Sequence, residues 1–207
     1  ADKIIVTGHP EYDVLFRSVS CKKEMLSTLY SKYAIGNRKI VLIALPQFGE
    51  HGMMPWDEHF REMRFLASVL DRLDAEILVS LHPRMDREQY QFLREDFRFV
   101  LLKESLSEVL PVADIFLASY SSTIQWSIMC NILTVNFDFY NLNYTRYSWM
   151  KGLVSIKKRD ELFDCLMTLL KDEKYSKEIR KRVKFDSYKL LPFEGNSVEM
   201  IAGAICN

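Results

Sequence analysis

Short apolar runs rich in isoleucine and valine alternate along this chain with longer segments whose apolar residues recur every three to four positions. This alternation is typical of βαβ units, in which helices cover a parallel sheet. A strand that is covered on both faces is apolar throughout, as Ile40–Leu45 is. The five strands predicted in this way are Arg38–Leu45, Ala75–Leu81, Phe97–Leu102, Asp114–Ala118 and Ile132–Asn136.

The segments between and after these strands carry helical spacing. Phe60, Met63 and Leu66, for example, fall on one face of a helix. The pattern predicts an α/β fold, a Rossmann-like doubly wound parallel sheet with a helical C-terminal tail. The predicted helices are Tyr12–Ile35 (broken near Ser18–Ser20), Asp57–Leu73, Asp86–Glu95, Ser105–Leu110, Ser121–Cys130, Asp160–Lys171, Ser176–Val183 and Ser197–Ile205.

The first residues lie outside the five strand and helix pairs. Lys3–Thr7 is predicted to be a short strand, and the turn GHPEYD follows it. We therefore interpret residues 1–37 as a hinge strand and helix at the junction with a missing N-terminal domain. Residues 38–207 form the Rossmann-like domain in this interpretation.

Charge and composition narrow the classes of partner. The 207 residues include 28 basic and 28 acidic side chains, so no electrostatic argument favours nucleic acid. No apolar run approaches the roughly 18 to 20 residues that span a bilayer. The four cysteines are far apart and no secretory leader is visible, which favours a reduced, cytoplasmic compartment without a disulfide framework or zinc site.

Four polar clusters follow predicted strands: Gly8–Pro10 with Asp13, Pro46–His51, His82–Arg84 and Ser119–Thr123. The carboxyl ends of parallel strands meet at one edge of the sheet, where open α/β proteins bind ligands. Neither glycine-rich phosphate loop, GxGxxG or GxxxxGK, occurs in the chain. We therefore expect the ligand site to be built from these clusters.

The hydroxyl cluster is the clearest candidate. Ser119, Ser121, Ser122 and Thr123 lie between a buried strand and a helix, where unpaired backbone N–H groups and hydroxyls bind phosphate oxygens. Ordinary helix capping is the alternative, but capping needs one hydroxyl and this segment has four.

His82 is the candidate catalytic group. Its imidazole could donate a hydrogen bond to a phosphate or sugar oxygen and, when protonated, stabilise charge on a leaving phosphate. A histidine that only caps the strand is the alternative. Arg84 offers a permanent cation, and Gln47 and Asp138 follow other strands as further ligand contacts. A hydrolase triad of Ser121, His82 and Asp138 would lack the GxSxG turn.

Two further segments are interpreted without catalytic chemistry. Glu50-His51 and Glu58-His59 do not match HExxH, so no metal is expected, and Glu58 and His59 are predicted to face solvent on a helix that Asp57 caps. The aromatic run Phe137–Trp149 has too few basic residues for a nucleic-acid groove. We expect a loop over the sheet edge that touches a nucleotide base or ribose.

Several motifs resemble those of one transferase family. GHPEYDVLF resembles the G-[YH]-P-x-x-D-x-L segment of bacterial surface-polysaccharide transferases of the CDP-glycerol glycerophosphotransferase type. LHP at Leu81–Pro83, ADIFLASYSST at Ala113–Thr123 and the tail EGNSVEMIAGAI follow in the same order. The HP and Ser/Thr-rich pair is also similar to that of CMP-sugar transferases with the GT-B fold. Ser119 and Ser80 stand where the family has aspartate and often arginine.

The resemblance implies that residues 38–207 are the nucleotide-binding C-terminal half of a GT-B transferase. Its donor would be a CMP-, CDP- or UDP-linked sugar or polyol, used in bacterial surface polysaccharide synthesis without a further cofactor. His82 would contact the donor phosphate, and Ser121, Ser122 and Thr123 would hold phosphate oxygens. The acceptor, a glycan or lipid-linked glycan, would bind the missing N-terminal domain, which makes the isolated fragment inactive and the full-length protein peripheral to the membrane.

Two other functions remain open. An enzyme similar to UDP-N-acetylglucosamine 2-epimerases would carry Ser-Gly-Gly-x-x-x-Glu-Glu where this chain has Ser121–Trp126. A degenerate, non-catalytic assembly domain would bind no nucleotide.

Overall fold

The structure is a computed structural model that describes residues 4–140, 142, 144–190 and 194–206. Six parallel strands form one sheet in the order β3-β2-β1-β4-β5-β6. This confirms the predicted α/β Rossmann-like fold with its helical C-terminal tail. The strands are β1 (Ile40–Ala44), β2 (Glu76–Ser80), β3 (Val100–Leu101), β4 (Ile115–Ala118), β5 (Leu133–Phe137) and β6 (Leu153–Ile156).

Helices surround the sheet and explain its apolar sequence. Leu42, Ile43, Phe116 and Leu117 in the two central strands have no exposed surface, as expected where both faces are covered. The helices are α1 (Pro10–Ser20), α2 (Lys22–Tyr33), α3 (Trp56–Leu70), α4 (Phe92–Glu95), α5 (Leu106–Val109), α6 (Thr123–Met129), α7 (Glu161–Lys171), α8 (Glu173–Ser187) and α9 (Ser197–Cys206), with short 3-10 turns at Arg87–Tyr90 and Leu110–Val112.

One strand assignment from the sequence is wrong, and one strand of the sheet was not predicted. Ile4–Thr7, the described part of the predicted hinge strand Lys3–Thr7, forms no strand, and Ile4 is 90% exposed. Its apolar run has no neighbouring strand with which to pair. The sixth strand, Leu153–Ile156, was not predicted, because four residues at an edge with little burial carry a weak signal.

One helix face also differs from the prediction. His59 was expected to face solvent but is fully buried, because α3 turns toward the sheet the same face that carries Met63 and Leu66. Asp57 lies inside α3 and Pro55 occupies the N-cap position. The break between the first two helices, predicted near Ser18–Ser20, lies at Cys21.

The first and last helices are joined by a buried carboxylate. Asp13 is 4% exposed and accepts hydrogen bonds from the backbone N–H groups of Ser197 and Val198, each at 2.9 Å. These N–H groups open α9 and have no partner within the helix. Asp13 therefore ties α1 to α9. No helix in the described ranges combines the length and the apolar character needed to cross a membrane.

Candidate ligand-binding cleft

A large cleft opens at the carboxyl edge of the sheet. The strand order reverses beside β1, whose neighbours are β2 and β4, so the loops after β1 and β4 separate and leave a crevice between them. The cleft has a volume of about 1020 Å³, enough for a small-molecule ligand. The candidate residues among those that line it are Gln47, His51, Ser80, His82, Lys103, Ser119, Tyr120, Ser121, Ser122, Thr123 and Tyr144.

The structure brings together most of the site residues predicted from the sequence. Gln47, His82, Ser119 and Ser121–Thr123 line this one cleft, although they come from the ends of three strands. Arg84 and Asp138 are not among the lining residues. In the Gly8–Pro10 segment, His9 caps α1 by accepting the N–H of Glu11 at 3.2 Å, and Glu11 lines the cleft.

His82 is held as a hydrogen-bond donor. Its Nδ1 accepts the backbone N–H of Arg84 at 3.2 Å, so in the neutral ring the proton is on Nε2. Burial, together with the charges of Arg84 and His51, lowers the pKa of His82. The ring is therefore neutral near pH 7, and a ligand oxygen would meet an N–H, which is the donor role expected from the sequence rather than the protonated one.

The hydroxyls of the cluster divide into engaged and available groups. Ser121 Oγ accepts the backbone N–H of Thr123 at 3.2 Å and lies 2.7 Å from Thr123 Oγ1, so these two side chains close the start of α6. Ser122 is exposed and makes no capping hydrogen bond. Ser119 Oγ is buried and has no hydrogen-bond partner among the described residues. Capping thus accounts for two hydroxyls, and those of Ser119 and Ser122 have no such role among the described residues.

Tyr120 occupies a strained position at the centre of this segment. Its φ is +47°, in the left-handed region that costs an L-residue roughly 1–2 kcal/mol. Its backbone N–H donates to Asn136 Oδ1 at 3.0 Å, and its hydroxyl donates to Asp138. Strain held by such contacts is common at ligand sites. The sequence contains no signal for this conformation.

Asp138 acts behind the cleft rather than in it. The side chain is 8% exposed, and it accepts a hydrogen bond from the hydroxyl of Tyr120, which lines the cleft. Burial and Asp138 raise the pKa of Tyr120 to about 12. The Tyr120 ring packs edge-on against Tyr144, with centroids 5.0 Å apart. Tyr144 belongs to the aromatic run that was expected to cover the sheet edge, and it lines the cleft.

Solved structures share this fold at low sequence identity. Wall teichoic acid polymerase TagF, in a structure with CDPG, superposes with a TM-score of 0.68 at 16% identity over 98% of this chain and 50% of that one. The trehalose-6-phosphate phosphatase N-terminal domain of Candida albicans gives a TM-score of 0.59 at 12% identity, over 96% and 49% of the two chains. Spinosyn rhamnosyltransferase SpnG with spinosyn aglycone gives 0.55 at 15% identity, over 81% and 46%.

The chain therefore spans about half the length of these structures, two of which are a polymerase and a glycosyltransferase. No curated protein matches its sequence significantly. The family described as CDP-glycerol:poly(glycerophosphate) glycerophosphotransferase matches residues 1–205, nearly the whole chain. The order of motifs from GHPEYD to the tail, the parallel sheet and the cleft at its carboxyl edge agree with that match, and the chain belongs to this glycerophosphotransferase family.

Proposed function

We propose that this chain is the donor-binding domain of a transferase of bacterial surface polysaccharide synthesis. It would hold the phosphate of a CMP-, CDP- or UDP-linked sugar or polyol. One observation carries the proposal: a single cleft at the switch point of the sheet joins the Ser119–Thr123 segment to His82. Family membership over residues 1–205 supports the reaction class.

The groups in the cleft suit an anionic leaving group. When the transferred group departs, negative charge develops on the phosphate that stays with the nucleotide. The Nε2–H of His82 and the hydroxyls of Ser119 and Ser122 would donate hydrogen bonds to that phosphate, and donors fixed before the reaction stabilise charge effectively. This arrangement assigns binding and charge stabilisation to the chain's own side chains.

The acceptor would be a glycan or lipid-linked glycan held by a second domain. The chain covers 50% of the TagF structure, and in this proposal the Rossmann-like domain would supply one wall of a site that a second domain completes. We infer that the 207-residue chain binds a nucleotide but transfers little or nothing by itself. A cytoplasmic location follows from the same proposal, since that is where activated donors are made.

Isothermal titration calorimetry with CMP, CDP, UMP and UDP tests the proposal, with cytidine and uridine as controls that lack phosphate. We expect at least one nucleotide to bind and its nucleoside to bind more weakly. The absence of binding by all four nucleotides at millimolar concentration would support the assembly-domain alternative. The epimerase alternative is disfavoured because Ser122-Thr123 replaces the two glycines of its motif.

The outward face of α8 supports membrane association of the whole protein. The buried face carries Ser176, Ile179 and Val183. The opposite face carries the exposed residues Lys174, Lys181 and Phe185, and Tyr188 follows at the C-cap; Phe185 is 54% and Tyr188 75% exposed. Exposed lysines beside aromatic rings are typical of side chains at an anionic bilayer surface.

The acidic groups of α8 do not neutralise this face. Glu173 pairs with Lys177 at 3.1 Å and Glu178 with Arg182 at 3.4 Å, while Asp186 is buried. An acidic polymer could use the same lysines but would not require two exposed aromatic rings. We therefore propose a bilayer containing anionic phospholipid as the partner of this face.

A further inference from the structure

The loop between β1 and α3 forms the wall of the cleft opposite the hydroxyl cluster. β1 and β4 are paired neighbours, with Ile43 beside Leu117, so the loops after them face each other across the crevice. His82 follows β2, which lies one strand farther from β4. His51 belongs to the β1 loop and lines the cleft as an exposed side chain.

Backbone and packing contacts hold this loop in one shape. The His51 N–H donates to the Gln47 carbonyl at 3.0 Å, and the Met53 N–H donates to the Phe48 carbonyl at 2.8 Å. Phe48 is 4% exposed and packs edge-on against Tyr140, with ring centroids 4.5 Å apart. The imidazole of His51 is therefore presented from a well-packed turn.

A buried hydrogen-bond chain fixes the residue next to His51. Glu50 Oε1 accepts the Tyr90 hydroxyl at 2.7 Å, and Tyr90 Oη lies 2.8 Å from His59 Nε2. Because Tyr90 donates its only hydroxyl proton to Glu50, His59 Nε2 is the donor in the second bond. Tyr90 and His59 have no exposed surface. These hydrogen bonds turn the Glu50 side chain inward, and the neighbouring His51 faces the cleft.

We propose that His51 is a second imidazole that contacts the phosphate of the donor, and that Glu50, Tyr90 and His59 position it. The inference rests on the proposed function, because it needs a phosphate-bearing ligand in this cleft. His51 and His82 would approach that phosphate from the ends of β1 and β2, and Ser119 and Ser122 from the end of β4. Both imidazoles line the same cleft, and the charge of His51 contributes to lowering the pKa of His82.

Binding of CDP or UDP, whichever binds in calorimetry, tests the contact. Replacement of His51 by glutamine (His51→Gln) is expected to raise the dissociation constant of the nucleotide about tenfold, as loss of a hydrogen bond to a charged group does. Binding of the matching nucleoside should change little. Asp57→Asn, an exposed change at the start of the next helix, is the control that leaves both affinities unaltered. In NMR spectra the His51 ring signals should shift with nucleotide, while those of buried His59 stay in place.

A double-mutant cycle tests the positioning role. Tyr90→Phe keeps the ring but frees Glu50, and it should weaken nucleotide binding a few-fold when His51 is present and not at all in the His51→Gln background. Equal losses in both backgrounds would contradict positioning through His51. Wild-type binding with unchanged affinity in His51→Gln would overturn the proposed contact. Absence of nucleotide binding by the wild type would remove the proposed function and this inference with it.

Discussion

At the scale of single residues, the cleft contains side chains with a donor left for a ligand and side chains that hydrogen-bond to one another. His82 presents Nε2–H and Ser122 an uncommitted hydroxyl, whereas Ser121 and Thr123 hydrogen-bond to each other. His82→Ala and Ser122→Ala should each weaken nucleotide binding by about 1.5–3 kcal/mol, the range for hydrogen bonds to charged groups. Calorimetry measures both changes.

Two further serine variants accompany that measurement, one as a control for affinity and one for stability. Ser68→Ala changes an exposed hydroxyl on α3 that donates to its own helix, so it should leave nucleotide affinity unchanged. Ser121→Ala removes the acceptor that closes the start of α6 and should lower the free energy of unfolding by about 0.5–2 kcal/mol. Unaltered affinity in both the His82 and the Ser122 variants would exclude these residues from the site.

Gly152 illustrates a second residue-scale constraint, because another segment touches its backbone. A Cβ at this position would lie 2.3 Å from the backbone nitrogen of Val183 in α8. Gly152→Ala should therefore lower the free energy of unfolding by roughly 1–3 kcal/mol, measured by urea denaturation. Gly203→Ala in α9 has open space and should raise it by about 0.5–1 kcal/mol. Equal stability of the two variants would contradict the close approach.

Residues of the candidate site could be predicted from the sequence only where a polar side chain comes directly after a strand. His82 and Ser119–Thr123 were found because they come directly after apolar runs. Tyr120 could not be found, since its left-handed backbone depends on Asn136, a residue of the neighbouring strand. In the sequence, His51 was weighed only as a metal ligand, with a spacing that does not match HExxH. Its place in the cleft accompanies Glu50 turned inward to Tyr90, 40 positions along the chain.

At the scale of elements, burial decided which strands could be assigned correctly from the sequence. The central strands are covered on both faces, so their apolar runs are unambiguous. β6 is short and partly exposed and was missed, and Ile4–Thr7 is apolar but unpaired and was wrongly assigned. An apolar run shows that a segment prefers burial, but strand formation also needs a neighbour to accept its hydrogen bonds.

The contact between α1 and α9 gives an element-scale prediction about pH. The N–H groups of Val198 and Ser197 hold the pKa of Asp13 below its ordinary value. A carboxyl whose pKa is lower in the folded state stabilises the fold fully above the unfolded pKa of about 3.9, and this stabilisation disappears as pH falls toward the folded value. Asp13→Asn offers one acceptor oxygen where the wild type offers two.

We therefore expect Asp13→Asn to melt at a lower temperature than the wild type at pH 7, and the difference to shrink as the pH falls below about 4. Thermal denaturation followed by circular dichroism between pH 3 and pH 7 measures it. Asp71→Asn, an exposed change at the end of α3, is the control and should show no such trend. A melting-temperature difference that is constant with pH would contradict the assigned role of the Asp13 charge.

At the scale of the whole molecule, the cleft and the α8 surface are two separate candidate contact sites. The cleft lies at the carboxyl edge of the sheet, and none of its lining residues belongs to α8. Donor binding and membrane association should therefore be independent. A variant of one surface should leave the other function intact, which allows each proposal to be tested in the folded chain.

Sedimentation with lipid vesicles tests the membrane contact. The protein should sediment with vesicles of phosphatidylcholine and phosphatidylglycerol, and far less with phosphatidylcholine alone or at high salt. Replacing Lys174 and Lys181 together by glutamate should lower the partition coefficient about 30-fold or more, since each lysine near the surface contributes about 1 kcal/mol of attraction, which is about fivefold. The same charge change at Lys22 and Lys23 on α2 is the matched control and should have a smaller effect.

Phe185→Ser with Tyr188→Ser should also reduce vesicle binding. Polyphosphate serves as the competing acidic polymer. If the protein binds polyphosphate but not vesicles, and the two aromatic replacements do not change that binding, the partner of α8 is a polyanion and not a bilayer.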